Sequence, residues 1–107
     1  MSHTPPLDVL ALRQAAGEAV AALKALGNPE RLLLLCQMSQ GEISVGDLET
    51  ELGIHQPTLS QQLGVLRREG MVATRREGKK VFYSVADARL LALLRTLYTL
   101  YCPRETA

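Results

Sequence analysis

The sequence predicts a mainly α domain carrying one small β-hairpin, and three observations support that reading. Twenty of the 107 residues are Leu, with one Phe and no Trp, and such unbranched side chains lose little rotamer freedom in a helix. Apolar residues recur at three- and four-residue spacings along most of the chain, which lays them on helical stripes. Only between Met71 and Val85 does the pattern change to short β-prone runs, so strands are confined to one stretch.

The first stripe is Val9, Leu12, Ala16, Val20, Leu23 and Leu26, and it stops at Gly27. Asn28 then offers a capping oxygen and Pro29 a first-turn proline to a second helix bearing Leu32, Leu33, Leu35, Cys36 and Met38 before Gly41. Ser44 with Asp47 three residues on resembles a capping box for a short third helix, which holds Leu48 and Leu52 and ends at Gly53. A fourth helix begins near Pro57, carries Leu59, Leu63 and Leu66 on one side, and stops at Gly70. The runs Met71 to Arg76 and Lys79 to Val85 flank Glu77-Gly78, a two-residue hairpin signal with a basic tip.

Asp87 is placed to cap a last helix whose stripe of Leu90, Leu91, Leu94, Leu97, Tyr98 and Tyr101 is widened by Leu93 and Leu100. That is more apolar surface than one small core absorbs. The helix is either central and buried, or two-sided and packed against both its own core and a second copy. A chain of this length has little interior in which to hide a helix on all sides, which favours the second arrangement. Residues 9–102 thus read as one folded domain, with 1–8 as a disordered start and 103–107 as a tail.

Composition excludes several classes of function. Twelve Lys plus Arg stand against eleven Asp plus Glu, so no large overall field attracts nucleic acid, and any basic surface is local. No apolar run approaches the roughly 18 to 20 residues that span a bilayer, and Met1 to Pro6 lacks the charged and apolar regions of a signal peptide, so a cytoplasmic location is expected. Cys36 and Cys102 are too far apart in sequence for a zinc ribbon or a redox CxxC, and His3 and His55 leave few ligands for a metalloenzyme. Ser44, Ser60 and Ser84 have no evident His and carboxylate partners, and no glycine-rich phosphate loop is present. The chain is expected not to be an enzyme and to need no cofactor.

Charge by segment is more informative than the total. Residues 42–55 carry four acids and no Lys or Arg, whereas residues 56–80 carry six bases and two acids. The positive field is therefore concentrated on the fourth helix and the hairpin. Opposite its leucines the fourth helix presents Thr58, Gln61, Gly64, Val65 and Arg68, flanked by Ser60 and Gln62. Any one such face is ordinarily just solvated, but Gln, Ser and Thr also read base edges, while Arg67 and Arg68 reach phosphates. Arg75, Arg76, Lys79 and Lys80 make the hairpin a candidate for the DNA backbone or minor groove. Two short helices joined by a Gly-containing turn and followed by a basic hairpin match a helix-turn-helix with a wing.

The run Gln56-Pro57-Thr58-Leu59-Ser60-Gln61-Gln62-Leu63-Gly64-Val65-Leu66-Arg67 resembles the recognition helix of ArsR-type winged-helix repressors. Asn28-Pro29-Glu30-Arg31 resembles that family's start of helix two, and Gly78 to Tyr83 resembles its wing, so the likeness covers residues 9–102. The resemblance implies five helices plus a two-stranded wing, and a homodimer built on the first and last helices. It also implies binding to double-stranded DNA at an inverted-repeat operator, with repression until an inducer acts. By the same analogy Gln56, Thr58, Ser60 and Gln61 are base-reading positions, and Gln62 joins Arg67, Arg68 and the wing cations at the backbone.

The sequence departs from the family's metal-sensing members. Where they carry paired cysteines before helix three, this chain reads Glu42-Ile43-Ser44-Val45-Gly46-Asp47-Leu48. Where others place Asp and His ligands along the last helix, Asp87 stands alone near Arg89 and Arg95. The acids Glu42, Asp47, Glu49 and Glu51 have the uneven spacing of a solvated surface rather than of a hard-cation site. His55, in the turn before the recognition helix, suits a polar turn contact or a phosphate better than a metal.

Two free thiols are often no more than small core hydrophobes. Here, however, Cys36 lies in helix two and Cys102 ends the last helix beside Pro103 and Arg104, where access and a cation favour thiolate. That placement, with Tyr98-Thr99-Leu100-Tyr101-Cys102, is similar to the dithiol, BigR- and SqrR-like subgroup of the family. The likeness implies that reactive sulfur species join the two sulfurs and release DNA, with Cys102 expected to react first. Two other readings stay open at this point: a repressor that senses a soft metal or metalloid through the same thiols, and a winged-helix protein-interaction module. The second should lack the basic residues concentrated here on helix four and the wing.

Overall fold

A computed structural model of the chain describes residues 8–102. His3 and the rest of the start, and the tail with Pro103 and Arg104, lie outside the described residues. The elements run α1 (Val9–Leu26), α2 (Pro29–Met38), β1 (Ile43–Ser44), α3 (Val45–Leu52), α4 (Thr58–Arg68), β2 (Val72–Glu77), β3 (Lys80–Val85) and α5 (Ala88–Tyr101). The five helices and the hairpin wing are those expected from the sequence. The two-residue β1 is an addition to the wing, making an antiparallel sheet in the order β1-β3-β2.

Helix boundaries follow side-chain chemistry. Asp8, assigned by sequence to the start segment, accepts from the amides of Leu10 and Ala11 and caps α1. Asn28 accepts from the Arg31 amide at the start of α2, Ser44 from Asp47 at α3, and Asp87 from Arg89 and Leu90 at α5. Each satisfies an amide that lacks a partner within its own first turn. Pro57 precedes α4 rather than opening it and provides no side-chain cap.

The core is built around α2, which touches α1, α3, α4, α5 and β3. Leu34, Leu35 and Met38 of α2 are fully buried with Leu48, Leu59, Leu66 and Leu94, and each such side chain contributes on the order of 1.5–3 kcal/mol. Where α4 meets the wing, the Met71 amide donates to the Leu66 carbonyl at 2.9 Å and the Gly70 amide to that of Arg67 at 3.1 Å. This double closure needs a left-handed residue at Gly70, whose φ is +68°. Leu66 and Met71 are both buried, so the departure angle of the wing is fixed by packing as well as by hydrogen bonds.

The wing register is shifted by one residue from the expected turn. Glu77 pairs with Lys80, leaving Gly78-Lys79 as the two turn residues. Gly78 has φ +60° and Lys79 is not positive, the order of φ signs in a hairpin turn with Gly at its first central position.

The two end helices behave unlike the rest. Of α1 only Ala25 is buried, and Val9, Leu10, Leu12, Val20 and Leu23 face solvent, Leu10 at 79%. In α5, Leu90 and Leu94 enter the core while Tyr98, Leu100 and Tyr101, near its C-terminal end, remain exposed. Glu18 of α1 pairs with Arg89 of α5 at 2.8 Å, and an open groove of about 310 Å³ separates the two helices. The radius of gyration is 16.5 Å, against about 13 Å for a self-contained domain of this length.

Candidate nucleic-acid interface and thiol pair

Leu59, Leu63 and Leu66 anchor α4 in the core, which turns Ser60, Gln61, Arg67 and Arg68 to solvent. Gln56 is exposed just ahead of the helix, and its Oε1 accepts from both the amide and the hydroxyl of Ser60. This side chain does the capping that Pro57 cannot. Thr58 is half-buried. Of the four base-reading candidates, Gln56, Ser60 and Gln61 therefore share the exposed side, while Thr58 sits at its edge.

The face is rotated relative to the one drawn from helical spacing. Val65 lines a depression shared with Val20, Ala21 and Lys24 of α1 instead of facing outward. Gln62 is half-buried, and its Oε1 accepts from Arg31 Nη1 at 3.1 Å. Arg31 also donates through Nε to the Ala25 carbonyl at 2.8 Å and through Nη2 to that of Lys24 at 2.9 Å. One guanidinium thus closes the end of α1, the start of α2 and the middle of α4. A cation at a helix C-terminus is favourably placed against the exposed carbonyl ends. The Arg68 guanidinium lies across Gly64, with Nη1 3.3 Å from where a Cβ would stand.

On the wing, Arg76, Lys79 and Lys80 are exposed and make no ion pair among the described residues. Arg75 differs: its Nε and Nη2 donate to the two Glu42 oxygens at 2.9 and 2.6 Å, and its Nη1 donates to Glu77 at 2.8 Å. These bonds hold the Glu42 carboxyl below the usual carboxylate range and push the Arg75 guanidinium above its own. Two other acids of residues 42–55 also have partners: Glu51 accepts from Gln37, and Glu49 lies 3.2 Å from His55 Nδ1. Among the described residues no three His, Cys, Asp or Glu are grouped to hold a metal ion, and no helix is long and apolar enough to cross a membrane.

Cys36 is half-buried against the core and Cys102 is exposed; both are free thiols. Burial pushes the Cys36 thiol up, and negative charge at Cys102 pushes it further. Cys36 lies in α2 and Cys102 caps the end of α5, and these two helices pack against each other.

The comparisons with known proteins agree with this geometry. A family model described as "Bacterial regulatory protein, arsR family" matches residues 28–74, which run from the cap of α2 into β2. The Biofilm growth-associated repressor of Agrobacterium fabrum is 49% identical over 113 residues, covering 98% of this chain and 97% of the relative. The chain belongs to the arsR family. Its fold is that of the family's winged helix: the transcriptional repressor BigR from Xylella fastidiosa superposes with a TM-score of 0.81 at 46% identity, over 92% of this chain and 100% of that one. Reduced HlyU from Vibrio cholerae gives 0.83 at 39% identity, over 89% and 100%. As an arsR-family member the protein is a DNA-binding regulator of transcription, not an enzyme.

Proposed function

We propose that the protein is a homodimeric repressor that binds an inverted-repeat operator and releases it when Cys36 and Cys102 are joined by reactive sulfur species. The observation that carries the reading is the placement of the two free thiols, Cys36 half-buried on α2 and Cys102 exposed at the end of α5, on two helices that pack together. The exposed leucines of α1 and the aromatic end of α5 provide the surface that a second copy covers. Dimerisation through them sets two copies of α4 one DNA turn apart, roughly 34 Å. Gln56, Thr58, Ser60 and Gln61 then read bases, and Arg67, Arg68 and the free wing cations meet phosphates.

The chemistry balances without a metal. The exposed Cys102 thiolate attacks the outer sulfur of an organic persulfide, taking that sulfur and expelling the organic thiolate. Cys36 then attacks the Cys102 sulfur, forming the disulfide and releasing hydrogen sulfide. Overall, two protein thiols are oxidised while one persulfide is reduced to a thiol and hydrogen sulfide. A disulfide requires α-carbons within about 7 Å; insertion of further sulfur atoms spans a wider gap. Moving a two-state element from mostly bound to mostly free takes about 5.5 kcal/mol of differential stabilisation, which a covalent bond can provide.

The test is intact mass and gel shift on wild type, Cys36→Ser and Cys102→Ser after treatment with glutathione persulfide or peroxide. Wild type should lose DNA, gain an intramolecular bridge and recover with dithiothreitol. Each single variant should bind DNA and remain bound after treatment. A single variant that releases DNA on persulfide treatment would overturn the two-thiol switch. The same two thiols suit a soft ion such as arsenite, and release of DNA by arsenite but not by persulfide would favour that second reading.

A further inference from the structure

Charge alone groups Arg75 with the cations expected at the DNA backbone, yet its surroundings are those of a clamp. It lies on β2 directly opposite Phe82 of β3, which in turn pairs with Ser44 of β1. The Arg75 guanidinium carbon stands 4.7 Å from the centre of the Phe82 ring, so the side chain crosses β3 and ends on Glu42, just before β1. The Glu42 contact is a two-point fork, and Glu77, two residues along on the same face, takes a third bond. Two carboxylates and an aromatic ring therefore surround the Arg75 guanidinium.

We infer that Arg75 is a positioning residue that locks the wing to the segment between α2 and β1, and that it makes no phosphate contact. The physical ground is competition. To reach a phosphate, the guanidinium must abandon a charge-assisted fork and an aromatic contact, and it would leave two carboxylates uncompensated beside a polyanion. Arg76, Lys79 and Lys80 give up nothing comparable. The wing angle needs such a lock because β1 is only two residues long and its ladder to β3 is correspondingly short. Glu42 has the complementary role: an acid beside the wing that favours DNA binding by holding the arginine in place.

This inference rests on the reading that the wing meets the DNA backbone. The test uses a duplex enriched from a random pool by the wild-type protein, with affinity measured by fluorescence anisotropy across a range of salt concentrations. Arg75→Ala should weaken binding roughly 3- to 10-fold while leaving the slope of log affinity against log salt unchanged. Glu42→Ala should weaken binding by a similar factor, the opposite of what removing an acid near DNA does by charge alone. The double variant should be no worse than either single one, because both remove the same contact. Arg75→Lys, which keeps the charge and loses the fork, should not restore affinity.

A slope lowered by about 0.9 in Arg75→Ala would make it a phosphate contact and overturn the inference, as would tighter binding by Glu42→Ala or full rescue by Lys. If Arg75→Ala melts early by circular dichroism, Glu42→Gln carries the same prediction with the arginine kept. Failure of the wild type to enrich any duplex would instead bring down the DNA reading itself, and the inference with it.

Discussion

Arg31 Nη1 donates to Gln62 Oε1 at 3.1 Å, and this bond ties α4 to the end of α1. Since the same guanidinium satisfies the Lys24 and Ala25 carbonyls, a rotation of α4 about its own axis has to disturb the contacts that close the end of α1. Gln62 is thereby supplied with a partner inside the protein. Arg31→Ala should lower stability by about 1–3 kcal/mol, because it removes the side-chain donor of the part-buried Ala25 carbonyl, whereas Gln62→Ala should have a smaller effect. Urea midpoints of the two variants test this, and equal midpoints would show that the α1 carbonyls do not depend on Arg31.

The exposed side of α4 and the wing tip should fail in different ways. Gln61→Ala is expected to relax sequence preference at one position of each half-site, a change of about 1–3 kcal/mol in discrimination. Lys80→Ala is expected to weaken all sequences alike and to lower the salt slope by about 1. Gel shifts with the enriched duplex and a scrambled one at several salt concentrations separate the two. If both variants keep wild-type affinity, neither α4 nor the wing lies on the DNA.

Thiol reactivity offers a check on the nearness of Cys36 and Cys102. Burial and the Cys102 charge both favour the protonated form of Cys36, so iodoacetamide near neutral pH should label the exposed Cys102 first. The raised value means that the folded state holds its Cys36 proton longer than the unfolded chain as pH rises. Its contribution to stability is therefore present below the unfolded value and is lost as pH climbs through the folded one. In Cys102→Ser the repulsion is gone, and the pH midpoint of Cys36 alkylation should fall. A midpoint that does not move would place the two sulfurs too far apart to interact.

Zinc should leave DNA affinity unchanged. Glu42 is held by Arg75, and Asp87 is held by Arg89 while capping α5, so a metal would have to displace internal contacts to recruit either carboxylate. Calorimetric titration of the reduced protein should show no stoichiometric site. Tight binding of one ion per protomer with loss of DNA would bring metal sensing back as the leading reading.

The helices were legible in the sequence because caps, glycines and leucine spacings all act over a few residues. Asn28-Pro29, Ser44 and Gly70 each do in the structure what local chemistry demanded of them. What escaped depended on contacts between distant segments. Strand β1 is two residues whose strand character exists only through β3. The outward face of α4 was misjudged at Val65 because spacing fixes which residues share a side, not which neighbour claims the flank, and α1 covers that flank. Arg75 illustrates the same limit: its charge can be counted in the sequence, but Glu42 lies 33 residues earlier and nothing local announces that the two neutralise each other. The thiol pair rests on likeness to a subgroup, since no spacing rule relates residues 36 and 102.

The exposed leucines of α1 bear on how much of the protein must be present before any of it is well folded. A monomer that keeps Leu10 and Leu23 in water forgoes on the order of 1.5–3 kcal/mol for each side chain left unburied. A second copy would return that energy only in proportion to its own abundance. If the proposed dimer forms, the melting temperature should therefore climb with protein concentration, as mass action requires. In a cell, dilution would then act as a second route to an unoccupied operator, through loss of the folded protein itself and with both sulfurs untouched.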